Sequence, residues 1–200
     1  MTQPTSRLSS ALAYAERVHA GVMRKDTNIP YVTHVMGVSV MVLEAGGTED
    51  EAIAGLLHDT LEDGGDPDGI RSHILKEFGA RVLEIVEAMS DATPGAGEKK
   101  APWRPRKEAY IAHLSHCDDA GVHRVCLSDK LYNLRATNDD FDEIGDPVWK
   151  RFRTGPDEQL WYYSSLGDAF AGGPLSATRA EMAYRRELER LRRALTVAGN

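Results

Sequence analysis

The sequence predicts an all-α protein, a helical bundle closed by additional C-terminal helices, on three observations. Apolar residues recur at three- and four-residue spacing along most of the chain; Ser, Thr and acidic residues stand where helices would start and Gly or Pro where they would stop; and no repeat of fixed period is present. Leu12, Ala15, Val18, His19 and Val22 mark one face of a first helix over residues 8–23. "RKDTNIPY" breaks it, because Asn28 and Pro30 favour a loop. "YVTHVMGVSVMVLEAGG" is apolar up to Gly46 and Gly47; its β-branched content leaves a strand open, but its length favours a helix. "TEDEAIAGLLHDTLED" begins with a Thr cap and early acids and reads as one helix through its acidic end. Helices follow at 67–76 and 79–91, and "DATPGAGEKKAPWRP" is a loop or lid. Helical patterns return in "RKEAYIAHLSH" and "AGVHRVCLSDKLYNLRAT"; after "NDDFDEIGDP", "DEQLWYYSSLGDAF" and "SATRAEMAYRRELERLRRALTVA" form two closing helices. Residues 8–172 are expected to form one domain, with 173–200 a helix packing on it or on a partner subunit. Trp161, Tyr162 and Tyr163 are of the type that fills a core or a subunit contact, so a homo-oligomer is an expected form.

Composition bounds the function. With 200 residues, 42% of them hydrophobic and 28% charged, the chain can bury a sizeable core. A formal net charge of −7 gives no general attraction to nucleic acid or anionic membrane. Cys117 and Cys126 are the only two cysteines and lack C-x-x-C spacing, which fits a reduced, cytoplasmic protein. Neither a secretion signal nor a membrane span is read in the sequence.

"LLHDTLEDGG" concentrates His58, Asp59, Glu62 and Asp63 at the end of an apolar run. On one continuous helix His58 stacks with Glu62 and Asp59 with Asp63, at a C-terminus where the macrodipole disfavours negative charge. Such a surface calls for a cation, the alternative being a solvated helix end before a Gly-rich turn. Asp129 in "VHRVCLSDKLYNLR" sits on or beside an apolar face, where an unpaired carboxylate is costly. His34, inside "YVTHVMGVSVMVL", poses the same problem, unless it bonds a carbonyl in the core. Two imidazoles and two carboxylates from three helices make a mixed N and O site suited to a first-row divalent metal. His34, His58, Asp59 and Asp129 are then ligands, and Glu62 and Asp63 lie beyond them as proton-transfer groups for a metal-acidified water or a leaving oxygen.

The ordered segments "HAGVMRKDTNIPYVTH", "GLLHDTLEDG", "FGARVLEIVEAMSD" and "RVCLSDKLYNLR" resemble, over about residues 11–137, the HD-domain hydrolases of the Rel/Spo type, including the stand-alone small alarmone hydrolases. The resemblance implies an HD-domain helical fold holding manganese, or another divalent metal, on His34, His58, Asp59 and Asp129. It implies that Glu62 and Asp63 activate water, that Arg24 and Lys25 pack against the guanine and nearby substrate groups, and that Asn133 contacts the ribose. The activity implied is removal of the 3′-pyrophosphate from guanosine tetra- or pentaphosphate, the chemistry of the stringent response. The chain is too short for an added synthetase domain. It departs from the family at Val22, Val35 and Ala136, where glutamine, proline and threonine are common; Ala136 bears on base and ribose selection. An HD hydrolase of another nucleotide, such as an adenosine alarmone, and a non-catalytic nucleotide-binding module are the alternatives. "KKAPWRPRK" adds Lys99, Lys100, Arg104, Arg106 and Lys107 as a basic cluster able to guide a polyphosphate.

Overall fold

The computed structural model describes residues 3–90 and 101–198, and among them it contains helices and one isolated bridge, Met23 with Pro30, but no strand. The first helix, α1 (Ser6–Val18), is capped by the Thr5 hydroxyl, which accepts from the Arg7 amide. It stops earlier than its apolar spacing predicts. Gly21 takes φ +75°, and the chain folds back so that the Arg24 amide donates to the Ile29 carbonyl at 2.8 Å and the Tyr31 amide to the Val22 carbonyl at 2.9 Å. Residues 22–31 thus form a tight loop that carries Arg24 and Lys25.

α2 (Val32–Glu44) is a helix, as its length argued, and buries His34, Val35, Val38, Ser39 and Val42. It packs most extensively on α3 (Glu49–Leu57), whose start is held by a capping box between Thr48 and Glu51. Gly55 permits the close approach: a Cβ there would stand 3.3 Å from Ser39 Cα. The acidic run does not continue this helix. His58 Nδ1 donates to the Gly55 carbonyl at 2.9 Å and Thr60 Oγ1 to the Leu57 carbonyl at 2.7 Å, so two side chains take carbonyls of the last turn. Asp59, at φ −97° and ψ −2°, becomes the N-cap of a separate short helix, α4 (Thr60–Asp63). The expected stacking of Asp59 on Asp63 within one helix is therefore replaced by a joint between two.

α5 (Pro67–Phe78) and α6 (Ala80–Met89) meet at Gly79, φ +93°. The predicted loop at 91–105 lies outside the described residues over 91–100, and its last part is already helix, because α7 (Trp103–Ser115) starts by packing the Trp103 ring against Trp161 and Tyr162. α8 (Ala120–Ile144) runs through the centre and is longer than its apolar pattern predicts. The acids that suggested a break are paired: Asp139 and Asp142 with Arg190, and Asp140 with Arg151. A 3-10 helix (Asp146–Arg151) then leads to α9 (Pro156–Gly172) and α10 (Arg179–Ala198), the two closing helices expected. α10 packs on α8 and α9, and the buried Tyr184 hydroxyl donates to the Tyr163 carbonyl at 2.8 Å. No helix among the described residues is long and apolar enough to cross a membrane.

The start of α8 sits beside α3 and α6 and is fixed electrostatically. Asp119 caps it, accepting from the Gly121 and Val122 amides at 2.8 and 3.2 Å, and takes a two-pronged bond from Arg81 at 2.6 and 2.7 Å. The Arg81 bonds, aided by the two amides, hold its carboxyl well below the usual carboxylate range against the opposing effect of burial. Replacing Asp119 by Ala should destabilise the protein by about 1–2 kcal/mol at neutral pH in urea denaturation. A depressed carboxyl stabilises above its unfolded pKa of about 4, so the difference from wild type should shrink as pH falls below that value toward the folded one.

Candidate active site

The fold brings four of the predicted residues to one point. His34 comes from the first turn of α2, His58 and Asp59 from the joint between α3 and α4, and Asp129 from the middle of α8. The two Nε2 atoms of His34 and His58 stand 3.3 Å apart. Asp59 Oδ2 lies 2.9 Å from His58 Nε2 and 3.7 Å from His34 Nε2; Asp129 Oδ1 lies 3.3 Å from His34 Nε2 and 3.6 Å from His58 Nε2. Donor atoms of His34, His58 and Asp59 all fall within 4.8 Å of one another, as a shared cation requires. The Gly55 carbonyl can only accept, so His58 Nδ1 carries the hydrogen and, in the neutral ring, Nε2 presents its lone pair to the centre.

The cluster is short of positive charge. Burial opposes ionisation of Asp59 and Asp129, yet both are held well below the ordinary range, Asp59 chiefly by His58 and Asp129 chiefly by Lys130. Burial likewise disfavours a charged His58, but Asp59 and Asp129 outweigh it and raise its pKa well above the usual value. Two carboxylates against one lysine leave one unit of charge to be supplied, by a proton on imidazole or by a metal. Two imidazole nitrogens aimed at each other between carboxylate oxygens fit a divalent metal.

The surrounding contacts fix the carboxylates. The Tyr31 hydroxyl donates to Asp59 Oδ2, and burial together with Asp59 keeps that hydroxyl protonated. Lys130 Nζ donates to Asp129 Oδ2 at 2.6 Å and Asn133 Nδ2 to Asp129 Oδ1 at 2.6 Å. Asn133 Oδ1 in turn accepts from Arg24 Nη2 at 3.1 Å, and the Arg24 guanidinium lies over the Tyr132 ring, 5.2 Å from its centroid. That ring fits because residue 37 is glycine: a Cβ there would meet Tyr132 at 2.1 Å. Beside this chain of contacts is a cavity of about 300 Å³, lined by Arg24, Lys25, Tyr31, Asn133 and Tyr163 among others.

Other predicted residues are placed differently. Glu62 and Asp63 are exposed in the first turn of α4, tied to Asp59 by their amides, which both donate to its carbonyl at 3.1 Å. They line neither the cavity nor the donor cluster, and Asp63 Oδ2 lies 3.6 Å from Nδ1 of the buried His19. Arg104 is engaged by Glu108 and Glu158, both at 2.9 Å, and stacks on Trp161, while Arg106 donates to the Ala101 carbonyl. None of Arg104, Arg106 and Lys107 lines the cavity, and Lys99 and Lys100 lie outside the described residues. Sequence reasoning missed Tyr31, Lys130 and Tyr163. Lys130 had a signal, its position next to a buried acid; Tyr31 had only its place just before the helix of His34.

A family model described as "HD domain" matches residues 11–150. The chain is 35% identical to a guanosine-3′,5′-bis(diphosphate) 3′-pyrophosphohydrolase, MESH1, of Xenopus tropicalis, over 68% of this chain and 72% of that one. It is 34% identical to the Homo sapiens protein of the same name, over 69% and 73%. Among solved structures, a metazoan SpoT ortholog described as hydrolysing ppGpp superposes with TM-score 0.73 at 25% identity, covering 94% of this chain and 97% of that one.

Adding a divalent metal to chelator-treated protein should raise its melting temperature, and His58→Ala should abolish the rise while leaving the helical circular dichroism intact. Asp59 and Asp129 raise the His58 pKa against the effect of burial, and a metal at this imidazole would compete with its proton, so the metal-dependent rise should be larger at about pH 8 than at about pH 6.

Proposed function

The chain belongs to the HD domain family, and on that premise we propose that it is a metal-dependent hydrolase that removes the 3′-pyrophosphate from guanosine tetra- and pentaphosphate, with no synthetase activity. One observation carries this reading: Asn133 bonds Asp129 on one side and Arg24 on the other, so a ligand in the cavity lies against the donor cluster. His34, His58, Asp59 and Asp129 would hold the ion, with manganese the first choice and other divalent ions suited to the same donors. When bound, such an ion supplies positive charge that polarises a phosphoryl oxygen and acidifies water. The protein's site of action is the cytoplasm, in the control of guanosine polyphosphate levels that the stringent response depends on.

The chain's own residues do the rest. Tyr31, Lys130 and Asn133 hold the two carboxylates in place, which keeps the donor set preorganised. Arg24 and Lys25 bring cationic charge to the cavity wall for the nucleotide, the planar guanidinium suited to stacking and to phosphate oxygens. Asn133 orients the ribose. A water oxygen attacks the phosphorus attached to the 3′ oxygen, the bond between them breaks, and pyrophosphate leaves as the 3′ hydroxyl forms. Glu62 or Asp63 takes the proton from that water or gives one to the leaving oxygen. Both are anchored within one turn of Asp59 and are themselves exposed, so they can be reached by water and substrate.

Glu62→Gln and Asp63→Asn keep size and hydrogen bonding and remove the ionisable group. The variant that loses the acting group should slow pyrophosphate release by about 10²–10⁴-fold while retaining metal content close to wild type. Asp129→Asn should instead lose metal. Wild-type turnover in both Glu62→Gln and Asp63→Asn would refute the role given to this pair.

A further inference from the structure

Asp129, Asn133, Thr137 and Asp140 follow one another at helical spacing along one face of α8, and Asn133, Thr137 and Asp140 all line the cavity. At 1.5 Å per residue, the rise from Asp129 to Asp140 is about 16 Å. The helix thus measures a path from the donor cluster to the far end of the pocket. At that end the chain comes back: Arg151, the last residue of the 3-10 helix, pairs with Asp140, and Phe152 and Tyr163 supply aromatic wall.

The Asp140–Arg151 pair has bonding capacity to spare. Arg151 Nη1 donates to Asp140 Oδ2, and neither Asp140 Oδ1 nor Arg151 Nη2 makes another hydrogen bond or ion pair with the described residues. Both side chains are largely but not fully covered, at 34% and 19% exposure, so their free atoms remain reachable from the cavity. As a unit the pair is neutral. It offers a polyphosphate no net attraction, and a phosphate seeking Arg151 would meet a carboxylate already there. An uncharged heterocycle with donors and acceptors along one edge, flanked by aromatic rings, suits it better.

Guanine has that edge. Its N1–H and N2–H groups donate side by side, which matches the two oxygens of a carboxylate, and its O6 accepts next to them, which matches a guanidinium N–H. Oδ2 can serve both Arg151 and the base, because a carboxylate oxygen has two lone pairs. Adenine would set its N6 amino group against the guanidinium and its N1 lone pair against the carboxylate. Taking the cavity as the nucleotide site of the proposed function, we infer that Asp140 and Arg151 are specificity-determining residues that read the guanine edge, about two helical turns beyond Asn133.

Calorimetric titration of the whole, metal-loaded chain with GDP, ADP and IDP tests this, since these probes carry no 3′-diphosphate to be hydrolysed. Wild type should bind GDP about 10-fold or more tighter than ADP, with IDP, which lacks the N2 amino group, weaker than GDP. Asp140→Asn should shrink the GDP-to-ADP ratio about 10- to 100-fold, because one acceptor becomes a donor. Arg151→Lys, which keeps the charge pair and gives a second reading should Asp140→Asn not fold, should shrink the same ratio. Equal binding of GDP and ADP by wild type overturns the inference. So does an equal loss of both nucleotides in the two variants, the result expected of a purely structural ion pair. Pyrophosphate release from a guanosine 3′-diphosphate is followed in parallel: a guanine preference that depends on Asp140 without any release would sink the hydrolase reading and leave the base site standing. Release without that preference would do the reverse.

Discussion

Two imidazoles and the Asp129 carboxylate, buried against one another in the middle of a helical bundle with the half-buried Asp59 beside them, set the terms for everything around them. Asp129 lies in α8 with Val125, Cys126 and Leu127 preceding it in the core, an environment that penalises a charged group heavily unless it is bonded on every side. The structure meets that demand with Lys130, Asn133 and the imidazoles of His34 and His58 on Asp129, and with Tyr31 and the same imidazoles on Asp59. Each of these donors belongs to an element that must be held in register for the cluster to exist. α2, α3 and α8 accordingly form the most tightly associated part of the fold, and the small residues at Gly37 and Gly55 let side chain and backbone approach closely there.

Binding chemistry grows outward from that cluster along α8. A helix repeats its faces every three to four residues, so the residue that bonds Asp129, Asn133, and those that wall the cavity, Thr137 and Asp140, are fixed relative to the donor cluster by the same rigid rod. The loop of Arg24 and Lys25 reaches the rod from the other side, held by the backbone pairing of residues 22–31 and by the contact of Arg24 with Asn133. Positive charge is thereby delivered locally in a chain whose net charge is −7. The third wall comes from the closing part of the chain, where Phe152 and Tyr163 approach the cavity and Arg151 meets Asp140.

The all-α fold, most helix positions, the loop carrying Arg24 and Lys25, and the residues that gather in the donor cluster were legible because they depend on local patterns. Apolar spacing, caps such as Thr48 with Glu51, and polar groups stranded in apolar runs such as His34 and Asp129 are each written within a few residues of sequence. Only the tertiary structure decided where continuous patterns are interrupted or prolonged. The acidic helix divides at His58 because side chains take the Gly55 and Leu57 carbonyls, and α8 continues past its apolar stretch because Arg190 and Arg151, distant in sequence, neutralise its acids. Lys130 pairs with Asp129 next to it on α8, but Tyr31 and Tyr163 join the site for the same reason as these interruptions: their roles rest on elements brought together from elsewhere in the chain, and no periodicity in the sequence encodes which side chain a neighbouring helix will present.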